Sequence, residues 1–294
     1  MTTLGRYRCL RIIRASSSRS SPRVQWPSLT EGSDQEKRVL AEGWHEATLA
    51  EKIPETVLRR GPRPVWNVLS GDAKGLNVEW EISAPQQWLQ VRVRGDDAEA
   101  FLNLLVQKHG EAPVHHSKVE RWDVLRGFIT GSGRVGFGVY IDVGVLEPVK
   151  KDALYPLHRM RAQLADGVGK SSREILYENS LADYFPVDAI VTELDGDKIT
   201  VELADRTRDQ LQQWKRLVFD RVITVGVEKD YAEKIVKTAN LGLDVIKIET
   251  LSLLVQCLVC KFDTDAPGVI AKIGNRLRGV GMTAFRTPAK ALLA

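Results

Sequence analysis

The chain has 294 residues, 43% of them apolar and 27% charged, the balance of an ordinary soluble globular protein long enough for two or three domains. No uncharged apolar run approaches the roughly 18 residues of a membrane span, and three cysteines are too few for a disulfide scaffold. The net charge of +4 is concentrated at one end: residues 1–30 hold six arginines and no acid, so the remainder sums to 4 − 6 = −2, and any basic surface has to be local.

Residues 1–37 are rich in arginine and serine and carry too little apolar patterning to fold. Such a leader reads as an organelle transit peptide, a phosphate-touching arm or an over-extended start. From Glu36 to Arg59 apolar residues at helical spacing predict a helix, broken at Gly61-Pro62-Arg63-Pro64. Val78–Ile82 and Trp88–Val93 alternate as half-buried strands. Asp96 or Asp97 is then expected to cap a helix that buries Phe101, Leu102 and Leu105 and ends near Gly110. These elements form an N-terminal α/β domain over residues 38–116.

Residues 117–205 turn to glycine-rich strands. Asp123–Thr130 and Val135–Val143 are strands joined at Gly131-Ser132-Gly133, and Ala153–Tyr155 is a third. A mostly helical stretch runs from His158 to Tyr184, and Val187–Leu194 and Lys198–Leu203 form a hairpin around Asp195-Gly196-Asp197. Five short strands with a helix between the third and fourth is the order of an OB barrel. Over residues 206–294 a helix around Leu211 and Trp214 leads into a βαββα series, which fits a ferredoxin-like sandwich. The expected fold class is therefore α+β, a central OB-like barrel flanked by two small ferredoxin-like units.

Several motifs carry no chemistry. Gly131–Gly136 spells G-x-G-x-x-G, but a strand follows it, so no helix N-terminus is on hand to hold a pyrophosphate. Cys257 and Cys260 form a C-x-x-C without a second ligand pair; in a strand, positions three apart face opposite ways. The five histidines lack H-E-x-x-H spacing, and no G-x-S-x-G occurs. No catalytic residue, metal or cofactor is predicted.

The constellation that points to a ligand is Phe137-Gly138-Val139-Tyr140-Ile141-Asp142. OB barrels stack bases on aromatic side chains of their middle strands while nearby cations hold phosphates. A kink at Gly138 would bring the rings of Phe137 and Tyr140 to one groove. Residues 118–205 carry eleven Lys/Arg against fifteen Asp/Glu, but 150–173 holds six cations against two acids, a local +4. Arg159, Arg161 and Arg173 are the candidate phosphate clamps there. The alternative is a solvated helix face.

Phe137–Asp142 resembles the second strand of the RNA-binding OB repeat of the large S-one ribosomal protein. The hairpin Ala189–Asp195 with Lys198–Leu203 resembles that repeat's closing pair and puts Asp195 and Lys198 near its acidic and basic contacts. Pro156 stands where the repeat has a groove histidine, a departure that removes one contact. From Val78 onward the chain also resembles an uncharacterised archaeal family, on Gly136–Gly144, Tyr155–Leu164 and Val259–Gly268; that likeness implies a cytosolic protein and favours an over-extended start for the leader. Together these readings predict a non-enzymatic, cytoplasmic RNA-binding protein, its partner single-stranded or structured RNA such as the ribosome, with self-association left open. The second reading starts from Thr264–Ile273, which resembles the strand-to-helix turn of ACT-type regulatory domains. There Asp265, Pro267 and Gly268 would bind a small molecule such as an amino acid, or the unit would mediate oligomerisation.

Overall fold

A computed structural model describes residues 43–291; the Arg/Ser-rich leader expected over 1–37 lies outside them. The described residues fall into two compact units, with the chain dividing between Ala112 and Pro113. No described helix is long and apolar enough to cross a membrane.

The first unit runs β1 (His45–Lys52), α1 (Glu55–Arg60), α2 (Arg63–Asp72), β2 (Glu79–Ser83), β3 (Trp88–Arg94) and α3 (Ala98–His109). The helix expected across Glu36–Arg59 is corrected here: its described part is strand β1 followed by α1. Residues 47–52 of β1 are all buried, so the strand shows no alternation, and the 3–4 spacing of its apolar residues mimics a helix. What makes it a strand is non-local. Ala47 pairs with Val91 of β3 on one edge, while Ala112 N donates to Thr48 O (2.8 Å) on the other. The proline expected to break the chain at Pro64 sits in the first turn of α2, where a missing N–H costs nothing. The sheet is antiparallel in the order β1-β3-β2. Asp97 holds the N-cap position of α3 as expected, but its side chain makes no cap hydrogen bond: both carboxylates accept from Asn77 instead, Asp97 from its backbone N–H and Asp96 from its side-chain amide, each at 2.7 Å.

The second unit opens with β4 (Val114–His115) and then β5 (Val124–Thr130), β6 (Gly138–Glu147), β7 (Lys151–Pro156), α4 (Leu157–Leu164), α5 (Ser172–Glu178), β8 (Pro186–Asp195) and β9 (Lys198–Leu203). Strand β6 pairs with both β5 and β7, β7 lies parallel to β9 through Leu154 and Thr200, and β8 returns to β5. The ring β5-β6-β7-β9-β8 is therefore a closed five-stranded barrel. Strand β6 begins at Gly138 rather than at Val135, because loop residues before it are tied to α5 (below). Val139, Ile141, Val143, Tyr155, Val191 and Val201 fill the barrel at 2% exposure or less. Each such aliphatic side chain contributes about 1.5–3 kcal/mol of burial. Met160 of α4 and Ile175 of α5 belong to the same core. Helix α5 is started by a capping box in which Ser171 and Glu174 satisfy each other's backbone N–H groups.

The chain continues through α6 (Asp205–Arg216), β10 (Arg221–Val225), α7 (Lys229–Thr238), β11 (Val245–Ser252), β12 (Val255–Cys260), α8 (Ala266–Ile273), β13 (Gly281–Phe285) and α9 (Pro288–Ala291). Strand β13 was absent from the sequence reading, which ended at a helix. The four strands form an antiparallel sheet in the order β11-β12-β10-β13. One face, with Ile223, Cys257, Val259 and Phe285, shares the barrel's core. The other, with Val222, Leu258 and Cys260, is covered by α7 and α8. The two cysteines of the C-x-x-C thus lie in different cores, both buried as free thiols.

At the junction, Trp214 of α6 meets Phe185 and Phe285 edge-on, with centroids 6.1 and 5.6 Å away. The guanidinium of Arg221, a residue 2% exposed, lies 4.9 Å from the Trp214 ring and donates to Phe219 O at 2.8 Å. Burial lowers the Arg221 pKa against the pull of nearby Cys257 and Glu249, so the cation is held by the ring face.

Candidate nucleic-acid interface

The loop 131–137 links two barrel strands, as the failed G-x-G-x-x-G reading requires. Asp183 accepts from Ser132 N at 2.7 Å, Ser172 donates to Val135 O at 3.0 Å, and Arg173 Nη2 donates to Gly133 O at 3.3 Å. One backbone N–H and two backbone carbonyls of the loop are thus engaged within the protein, and Ser172 and Arg173 hold the loop against α5. It delivers Phe137 to the start of β6 outside the pleat, so Phe137 does not follow Val139 and Ile141 into the core. The ring is 54% exposed.

Tyr140 points to the outer face of β6 and is half-buried, flanked by Thr130 of β5 and Leu154 of β7. The two rings meet edge to face with centroids 6.4 Å apart, a favoured geometry for an aromatic pair. Gly138 lies between them where no side chain fits: a Cβ would stand 2.4 Å from Tyr155 O across the β6–β7 seam. Two residues further along the same face, Asp142 is fully buried and binds the Lys150 ammonium at 2.7 Å. Burial works to lower the Lys150 pKa, but the Asp142 and Asp152 carboxylates outweigh it and the net shift is upward.

The cations take different positions. Arg173 is exposed beside the loop. Arg159 is ion-paired with Glu202 of β9 at 3.2 Å. Arg161 spends its Nε on Lys170 O at 2.7 Å, which organises the α4–α5 connection. Asp195 and Lys198 face each other across the exposed β8–β9 turn. That turn is pinned to β7 by Lys151, which binds Asp197 at 2.8 Å; this hydrogen bond holds the Asp197 carboxyl below its usual range. The structure therefore brings Phe137 and Tyr140 together, places Arg173 at their loop, and puts Asp195 and Lys198 on the other loop of the ring.

In the C-terminal turn, Asp265 caps α8 by accepting from Gly268 N at 3.2 Å. That N–H, the one approachable by a ligand carboxylate in the sequence reading, is filled by the chain itself. Pro267 lines a cleft of about 1030 Å³ between the barrel's helical insertion and β13. Lys215 and Arg286 reach the same cleft; neither was singled out in the sequence, where they lie far apart with no motif around them.

Three family models match the chain in succession: the DUF2110 N-terminal domain over residues 58–115, the DUF2110 central domain over 119–215 and the DUF2110 C-terminal domain over 219–284. No curated protein and no solved structure matches it.

Proposed function

The chain belongs to the DUF2110 family, and from that premise we propose that it is a non-enzymatic RNA-binding protein acting through an OB-type barrel. Counted within the ring, the strands run 1-2-3-5-4 and close on the first, with helices α4 and α5 between the third and fourth. That order supports the OB reading, and in OB folds the face of the second and third strands, between the loops 1–2 and 4–5, takes up nucleic acid. The observation that carries the proposal is the Phe137–Tyr140 pair: an exposed ring braced edge-on by a second, on the outer face of the second strand. An exposed phenylalanine has no hydrophobic reason to be there, whereas a stacked base would cover it. Arg173 at the start of α5, beside loop 131–137, and Lys198 at the β8–β9 turn supply exposed cations, while Arg159 and Arg161 of α4 are already bonded to Glu202 and Lys170 O. The partner is single-stranded or structured RNA, ribosomal or otherwise part of translation, in the cytoplasm.

The C-terminal sheet, with its βαββαβ order and strand order β11-β12-β10-β13, supports the ferredoxin-like reading. So does the first unit, where residues 110–112 run beside β1 in the place of a fourth strand.

The test is fluorescence anisotropy of the full chain with a labelled single-stranded RNA, comparing wild type with the double variant Phe137→Ala/Tyr140→Ala. Each stack is worth roughly 1–3 kcal/mol, so affinity should fall at least tenfold while the thermal transition stays intact. Equal affinities would remove the reading.

A second reading, oligomerisation through the C-terminal unit, is favoured by the free edge strand β11. Ile246 there is 54% exposed, and Lys247 and Glu249 would oppose each other's charge across a two-fold at Ile248. Sedimentation of the full chain as a monomer at all concentrations would rule it out.

A further inference from the structure

The cleft beside β13 borders the loop that carries Phe137, sharing Ser132, Gly133 and Arg173 with it, but has a chemistry of its own. Its charged lining is Lys170, Arg173, Lys215 and Arg286 against Asp166 and Glu178, a balance of 4 − 2 = +2. We propose that it binds a phosphomonoester carried on a planar body, the size of a mononucleotide. A phosphomonoester dianion matches the charge of the lining.

Pairing among the described residues supports this. Lys150, Lys151, Arg159 and Lys170 each hold a carboxylate within 4.0 Å, whereas Arg173, Lys215 and Arg286 have none. Lys215 is the most telling. Its ammonium rises from α6 into a half-buried position and donates to Leu164 O at 3.0 Å. Burial lowers its pKa, with Glu178 and Asp166 pulling the other way from a distance. A cation taken part-way out of water without a counter-ion is costly unless an anion arrives to meet it. Arg173 and Arg286 bring guanidinium forks suited to phosphate oxygens from opposite walls.

The remaining lining fits the rest of such a ligand. Leu176, Val168 and Pro288 give apolar walls, and Tyr177, 82% exposed, offers a ring at the rim. The volume is at the upper end of ordinary ligand clefts, roughly 300–1,000 Å³.

Two sources share this chemistry, a free mononucleotide and the 5′-phosphate end of an RNA strand, and calorimetric titration of the full chain separates them. The probes are inorganic phosphate, AMP, UMP and one RNA octamer in 5′-phosphorylated and 5′-hydroxyl forms. The variants are Lys215→Gln/Arg286→Gln, in which glutamine keeps a donor toward Leu164 O, and the exposed single change Arg286→Glu. AMP or UMP should bind more tightly than phosphate alone, and both variants should weaken that binding at least tenfold while Phe137→Ala/Tyr140→Ala leaves it unchanged. A tenfold preference for the phosphorylated octamer that the variants abolish assigns the site to a strand end; mononucleotide binding without that preference assigns it to the free ligand. Absence of binding by every phosphate probe, or equal affinity in wild type and variants, overturns the inference. Loss of octamer binding in Phe137→Ala/Tyr140→Ala bears on the barrel face alone.

Discussion

Replacing Gly138 with alanine tests whether the β6–β7 seam is as tight as its geometry implies. The added Cβ would lie 2.4 Å from Tyr155 O and 3.1 Å from both Leu154 Cδ1 and Pro156 Cα. Real Cβ contacts essentially never fall under 3.0 Å, so the seam must open by at least 3.0 − 2.4 = 0.6 Å, and the obstacle is a backbone carbonyl rather than the end of a flexible side chain. Overpacking of this kind costs about 1–3 kcal/mol. Gly136, two residues earlier, has nothing within 4 Å of its Cβ position and serves as the control. Both changes remove a glycine's freedom from the unfolded chain, a stabilising effect of about 0.4–1 kcal/mol that cancels between them. In a unit of this size 1 kcal/mol moves the midpoint by roughly 2–4 °C, so Gly138→Ala should melt about 2–12 °C below Gly136→Ala in scanning calorimetry. Equal midpoints, or the reverse order, would refute the close approach and with it the account of why a glycine separates the two rings.

Two further outcomes follow from buried charge and buried thiols. Replacing Lys150 with methionine takes the cation from the fully buried Asp142 carboxylate, which keeps its hydrogen bond from Gly144 N; with the Lys150 side chain 32% exposed, the loss should be about 1–3 kcal/mol at pH 8. Because the folded Lys150 amine titrates above its ordinary 10.5, the pair's contribution is complete below that value and fades as pH rises past it; urea unfolding should show the gap between wild type and variant shrinking there, and a constant gap would contradict the pairing. Cys257 and Cys260 are buried in different cores, and burial, aided by Glu249 and opposed by Arg221, pushes the Cys257 thiol up. Peptide mapping after iodoacetamide should find both unmodified in the native protein and both labelled in denaturant; rapid native labelling would place the strand wrongly.

Local pattern made three strands legible because each alternates between a buried and a wetter face. Trp88–Val93, Val187–Leu194 and Lys198–Leu203 alternate, and the structure keeps them within a residue or so at each end. Strand β1 misled because both its faces are covered and polar Thr48, Glu51 and Lys52 are buried along with its apolar residues, so no period-2 alternation survives and the spacing of Ala47, Leu49, Ala50 and Ile53 is as good for a helix. Strand β13 escaped because Gly281-Met282-Thr283-Ala284-Phe285 has little strand character of its own; its pairing with Arg221–Val225 supplies what the residues lack. Barrel closure rests on the parallel meeting of Leu154 with Thr200, a long-range event that no window of sequence contains. For the interface, the juxtaposed rings were legible because they sit three residues apart in sequence, one just before β6 and one on it, with Gly138 between them. The cleft was not: of its four cations the sequence offered Arg173 as a phosphate clamp for the barrel face and Lys170 only as a member of a charged stretch, and Lys215 and Arg286 come from α6 and the end of the last sheet.

The place of Phe285 against Trp214 has a consequence for how this polypeptide comes into being. The ring of five strands is complete in sequence at Leu203, yet one side of the indole stays bare until the very last strand has emerged from synthesis and slotted beside Arg221–Val225. A product truncated after Arg221 but before Gly281 would leave the side of Trp214 that meets Phe285 wet, the kind of exposed apolar surface that cellular quality control recognises.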